Sequence, residues 1–169
     1  MSGALSREVR AVQNPALGAM LLWRCSVGYS STHEKAEPIP LPLLYLVLPI
    51  LFHKDTADLV SGTQKASGLR KFTEKFQLAA QNKTDLLLAI APRAQAMRRL
   101  TSDALGLALL GSLVSMEQST AHVIAVSQTP ATAGIPASVR PLLAAAEKLG
   151  GWFSQLSIYE TALLLQVTL

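Results

Sequence analysis

Residues 41–52 read LPLLYLVLPILF, twelve consecutive positions without a charge and with the Tyr45 hydroxyl as their one polar side-chain group. An element that is apolar on every side offers no face to water, so it must be enclosed by protein or by lipid. Lipid does not fit. As a helix the run would reach about 18 Å, against a hydrocarbon core of about 30 Å, and Pro42 and Pro49 interrupt it. The rest of the chain must therefore be built around this run. Residues 43–53 are expected to form a short buried helix, kinked or broken at Pro49. Its side chains Leu43, Leu44, Leu48 and Phe52 serve either the chain's own core or an apolar patch that a partner covers.

The remaining sequence has the means to enclose such an element. Of 169 residues, half are hydrophobic and 15% are charged, a balance that excludes general disorder. The length is that of one domain, residues 1–169, with residues 1–11 expected to be flexible. A domain this apolar either has an unusually large core for its size or leaves apolar surface for a partner to cover. Abundant Leu and Ala with few aromatics favours helices over a β-sandwich. Residues 15–23 follow Arg7 and Arg10 as in an export signal, but Glu8 lies between those bases and Arg24 closes the run. No clean cleavage site follows, so this too is expected to be a core helix.

Asn14-Pro15 is a helix start, with Asn able to cap free amides and Pro losing no hydrogen bond at the first position. That helix is expected to end near Gly28 and Tyr29. Prolines 38, 40 and 42 impose an extended path and delay the next helix until after Pro42. A short helix about 56–60 follows. Residues 63–77 are amphipathic, with Leu69, Phe72 and Phe76 opposite Arg70, Lys71, Glu74 and Lys75. After a loop at 82–85, a helix about 85–99 is expected to break near Pro92. Residues 102–116 read as a central, buried helix because their leucines leave little polar face. Residues 121–127 carry the β signal, ahead of the turn-rich 128–136. Their partner is either the C-terminal 166–169 or the other strand of a winged-helix-like hairpin. Residues 138–154 keep helical spacing throughout, and Ser157 caps a last helix over 158–165. The fold expected is mainly α, a compact multi-helix single domain with a minor β element.

Chemistry is sought with little return. The sequence has no GxxxxGK[ST] or GxGxxG phosphate cradle, no HExxH or CxxC metal spacing and no GxSxG elbow. Cys25 stands alone in an apolar stretch, far in sequence from His33, His53 and His122. A lone thiol of this kind fits a reducing cytoplasm better than a nucleophile. The expectation is a protein that is not an enzyme and carries no cofactor or metal.

The net charge of +4 is mildly basic. Arg93, Arg98 and Arg99, with Lys83 ahead of them, form the densest basic group. They read either as contacts to a nucleic-acid backbone or to a partner, or as a solvated helix end whose cations complement the dipole.

Three strings together are similar to a known family: NPALGAMLLWRCSVGY (14–29), PLPLLYLVLPILFHK (40–54) and LGGWFSQLSIYETALLLQVTL (149–169). They resemble the middle component of bacterial three-component ABC systems, over about residue 12 to the end. Where the family has a basic residue ahead of its final Trp-Phe, this chain has Gly150-Gly151-Trp152-Phe153, which weakens a charge role there. The resemblance implies an adaptor whose partners are an ABC-type ATPase and an effector protein, in a system directed against phage or plasmids. It implies no catalytic residues.

Overall fold

The computed structural model describes residues 14–78, 83–128 and 134–169. The expected flexible segment 1–11 lies outside the described residues, as do Asn82 and most of 128–136.

The first helix, α1 (Pro15–Thr32), starts where the sequence places it, with the Ala16 amide donating to Asn14 Oδ1 at 2.9 Å. It does not stop at Gly28 but continues for another turn. The reason lies in α9 (Arg140–Phe153), which crosses α1 with the two backbones in direct contact. A Cβ on Gly28 would lie 1.9 Å from the Glu147 carbonyl oxygen, and one on Gly150 would lie 2.0 Å from that of Cys25. Glycine costs a helix about 1 kcal/mol in propensity, and here that cost is offset because no other residue lets the axes come so close. Leu21, Leu22 and Cys25 are fully buried on the helix so enclosed. Arg24 of α1 pairs with Glu147 of α9 beside the crossing.

The apolar run forms two short pieces, α2 (Leu41–Leu44) and α3 (Val47–Leu51), preceded by β1 (Ile39–Pro40). Two expectations are corrected here. Pro42 does not delay the helix, because it sits in the first turn of α2, where an amide has no partner inside the helix. Pro49 does not break its helix for the same reason: it is the third residue of α3, and the interruption falls at Tyr45–Leu46 instead. Leu43, Leu44, Leu48 and Ile50 are fully buried.

Next come α4 (Lys54–Ser61), a 3₁₀ turn (Lys65–Ser67) and α5 (Gly68–Leu78). The apolar face of α5 is the expected one, and Phe72 meets Phe76 edge-on at 5.0 Å and Trp152 at 5.6 Å between ring centroids. The helix expected over 85–99 is three: α6 (Lys83–Leu88), α7 (Ile90–Ala96) and the start of α8 (Arg98–Leu110). The first break, at Ala89, is the work of Pro92, which has no amide for the Leu88 carbonyl and clashes with it in a continuous helix.

The expectation of a helix to residue 116 fails. Helix α8 ends at Leu110, Ser112 takes a left-handed φ of 54°, and the chain enters β2 (Val114–Glu117). Strand β3 (His122–Ala125) pairs antiparallel with both β2 and β1, giving the order β1-β3-β2. The hairpin of the sequence reading is present, but the C-terminal strand is not. Both edges of β3 are taken, and Gln166 at φ 54° turns the end of α10 (Ile158–Leu165) away. Helix α10 opens on the expected Ser157, in a reciprocal cap with Glu160.

Two identical substitutions are expected to act in opposite directions. Gly28→Ala forces α1 and α9 apart and is expected to lose about 3 kcal/mol or more of stability. Gly106→Ala on α8, where no atom lies within 4 Å of the added methyl, is expected to gain about 0.5–1 kcal/mol. Urea unfolding of the two variants measures both.

Candidate functional site

The three arginines singled out in the sequence divide between interior and surface. Arg93 extends from α7 onto three main-chain oxygens. Its Nη1 donates to the Pro49 carbonyl at 2.8 Å, its Nη2 to Leu86 at 2.9 Å and its Nε to Ala89 at 3.1 Å. The first of these lies near the C-terminus of α3, where carbonyls lack partners within the helix; Thr56 Oγ1 satisfies the neighbouring Ile50 carbonyl. Burial draws the Arg93 guanidinium below its ordinary pKa. This side chain ties α3, α6 and α7 together. Arg98 and Arg99, by contrast, are exposed, and neither has an ion-pair partner among the described residues. They stand directly after Met97, the C-cap of α7. They open α8, whose first turn has no acidic residue and whose Met97 cap supplies no side-chain bond.

A second cationic staple had no signal in the sequence. Lys148 of α9 donates to the carbonyls of Val60, Ser61 and Thr63 at 2.8–3.0 Å, and Lys75 of α5 takes that of Gly62 at 2.9 Å. Together they satisfy the C-terminus of α4. Ordinary spacing rules place both lysines on polar faces, and only the tertiary fold reveals what they reach.

The apolar candidates resolve differently. Leu43, Leu44 and Leu48 lie fully buried, with Phe52 nearly so, in the chain's own core, and so they form no exposed patch. Apolar surface appears elsewhere. Leu110 is 86% exposed and Leu107 42%, which corrects the reading of α8 as fully buried. Ile124 and Val126 are exposed on β3 and just after it, at the end of the hairpin nearest Leu110. On α10, Tyr159 is 76% and Leu163 65% exposed. These positions sit at helical or alternating spacing that normally marks a core, so the sequence could not separate them from buried leucines.

Beyond α10 lies an open groove of about 510 Å³ between α2, α7 and residues 166–169. Arg98 stands on its wall.

Among the described residues no group of three His, Cys, Asp or Glu gathers as a metal site, and no helix is long and apolar enough to cross a membrane. Burial pushes the Cys25 thiol far above its ordinary pKa, away from the thiolate that a nucleophile requires.

Residues 2–169 match the protein family described as ABC-three component (ABC-3C) system Middle Component 3. The chain belongs to that family. No curated protein and no solved structure matches it. As a middle component of a multi-component ABC system, it has partner components. The match spans the α1–α9 crossing, the cationic staples and the exposed apolar positions alike.

Two measurements check the electrostatics of this middle component. Arg93→Met removes three charge-assisted bonds and is expected to cost about 2–3 kcal/mol in urea unfolding, whereas Arg99→Met is expected to stay within about 0.5 kcal/mol of the parent. The Ser157 amide and hydroxyl hold the Glu160 carboxyl below its ordinary 4.5. The cap is thus fully present above the unfolded carboxylate pKa and is lost as pH falls through the lower, folded one. In an NMR titration the Glu160 midpoint should lie below 4.5, and Ser157→Ala should move it back towards that value.

Proposed function

We propose that this middle component is a non-enzymatic adaptor, which links an ABC-type ATPase to an effector protein in a cytoplasmic bacterial defence against phage or plasmids. The observation that carries the reading is the apolar surface left after folding. A chain with this much hydrophobic sequence fills its core and still exposes Leu107, Leu110, Ile124 and Val126 at one end and Tyr159 and Leu163 on α10. Apolar side chains exposed on one face, as Tyr159 and Leu163 are one turn apart on α10, support the reading of a surface that another protein covers. Family membership supports the same reading, because a middle component has other components to meet. The sequence holds no GxxxxGK[ST] phosphate cradle, which supports placing the ATPase activity in a partner.

Co-expression with the products of the neighbouring genes tests this. The three chains are expected to co-purify and to elute together in size-exclusion chromatography. Elution of this chain by itself, with both neighbours folded and present, counts against an adaptor.

A second reading, a nucleic-acid-binding subunit of the same kind of complex, is favoured by one observation: Arg98 and Arg99 are exposed, have no ion-pair partners among the described residues, and begin a helix that leads into a wing-like hairpin. Binding of that kind weakens steeply with salt. An affinity for duplex DNA that ignores salt, or that survives Arg98→Glu with Arg99→Glu, removes it.

A further inference from the structure

The groove is lined mostly by apolar side chains, with Arg98 among them. Leu41, Leu46, Ala91, Ala94, Val167 and Leu169 provide apolar lining. Ala91 and Ala94 lie one turn apart on α7 and share a face, and their short side chains leave the depth that longer ones would fill. The one charged residue on the lining is Arg98. It is exposed and has no acidic partner among the described residues, and it stands in the first turn of α8, where an acidic group would be favoured. Exposed apolar side chains also stand on the helix that precedes the groove wall in the chain. Tyr159 and Leu163 occupy successive turns of one exposed face of α10, and after the left-handed turn at Gln166 the chain leads directly into the groove wall.

We infer that this groove receives a segment of a protein partner that carries an apolar side chain close to an aspartate or glutamate. The apolar side chain enters over Ala91 and Ala94, and the carboxylate meets the Arg98 guanidinium, a pairing whose planar fork suits two parallel hydrogen bonds. Tyr159 and Leu163 extend the contact along the partner segment. A phosphate backbone fits the lining less well, since it calls for several cations, and here a single cation borders an otherwise mostly apolar surface. The inference rests on the adaptor reading, because it assigns one of the surfaces through which that adaptor holds a partner.

The test uses the full chain with the full-length products of its two neighbouring genes, with binding followed by calorimetry and the fold of each variant checked by circular dichroism. Ala94→Trp, which fills the groove, and Arg98→Glu are each expected to weaken one of the two pairings at least tenfold. Arg98→Lys should lose less than Arg98→Glu. Arg99→Glu, which reverses an exposed charge off the groove lining, should remain within about twofold of the parent. Should Ala94→Trp fail to fold, the exposed Arg98→Glu decides alone. If the parent forms its complexes and Arg98→Glu binds as tightly as the parent, the groove assignment is overturned and the adaptor reading stands. If the parent binds neither partner, both fall together. A loss confined to binding of a 20-base-pair DNA duplex, equal for Arg98→Glu and Arg99→Glu, overturns the assignment in favour of nucleic acid.

Discussion

Helices α1 and α9 meet backbone to backbone at Gly28 and Gly150, and much of the remaining structure follows from how close that contact is. Each glycine faces a main-chain carbonyl of the other helix at a distance that leaves no room for a methyl group. With the two axes so close, the side chains flanking the crossing have short distances to span. Arg24 reaches Glu147 beside it, Leu149 and Trp152 are fully buried, and Trp152 carries the core on to Phe72 of α5. Helix α1 is consequently surrounded. It meets α8 through Gly18, where a Cβ would lie 2.9 Å from that of Ala104, and it touches β3 and α3 as well. A helix buried on all sides needs no amphipathic pattern, and its sequence shows little of one.

The cost of enclosing so apolar a centre falls on the short helices around it. Helices α2, α3, α4, α6 and α7 are each eight residues or fewer, so a large share of their carbonyls lie in last turns without intrahelical acceptor use. Long cationic side chains meet that need. Arg93 serves the region where α3, α6 and α7 converge, and Lys148 with Lys75 serves the end of α4. Part of the chain's positive charge is therefore internal bonding rather than surface potential. This leaves Arg98 and Arg99 as basic groups available to a partner, and it narrows the basic cluster of the sequence to two of its three arginines.

For a middle component the arrangement has a clear division of labour. The interior holds the apolar segment 43–52, and the exposed apolar residues come from the end of α8, the hairpin and α10. The rigid centre fixes the relative positions of these surfaces. Such a frame suits a protein whose proposed work is to hold two others at once.

The sequence by itself determined the helical character of the chain, the caps at Asn14 and Ser157 and the amphipathic face of α5, because each depends on local chemistry; it left residues 43–52 between the chain's own core and a partner, and the fold placed Leu43, Leu44, Leu48 and Phe52 in the core. Its family likeness was legible as well, in strings that carry the core. Tertiary structure alone decided the rest. Gly28 reads as a helix stop until α9 is seen against it. Residues 114–117 have apolar spacing compatible with a helix, and only the open edge of β3 makes them a strand. Leu107 and Leu110 carry the same letters as buried leucines, and Arg93 the same letter as Arg98. What separates them is which neighbour the fold brings within reach, and a one-dimensional pattern records the side chain while the three-dimensional packing supplies its partner.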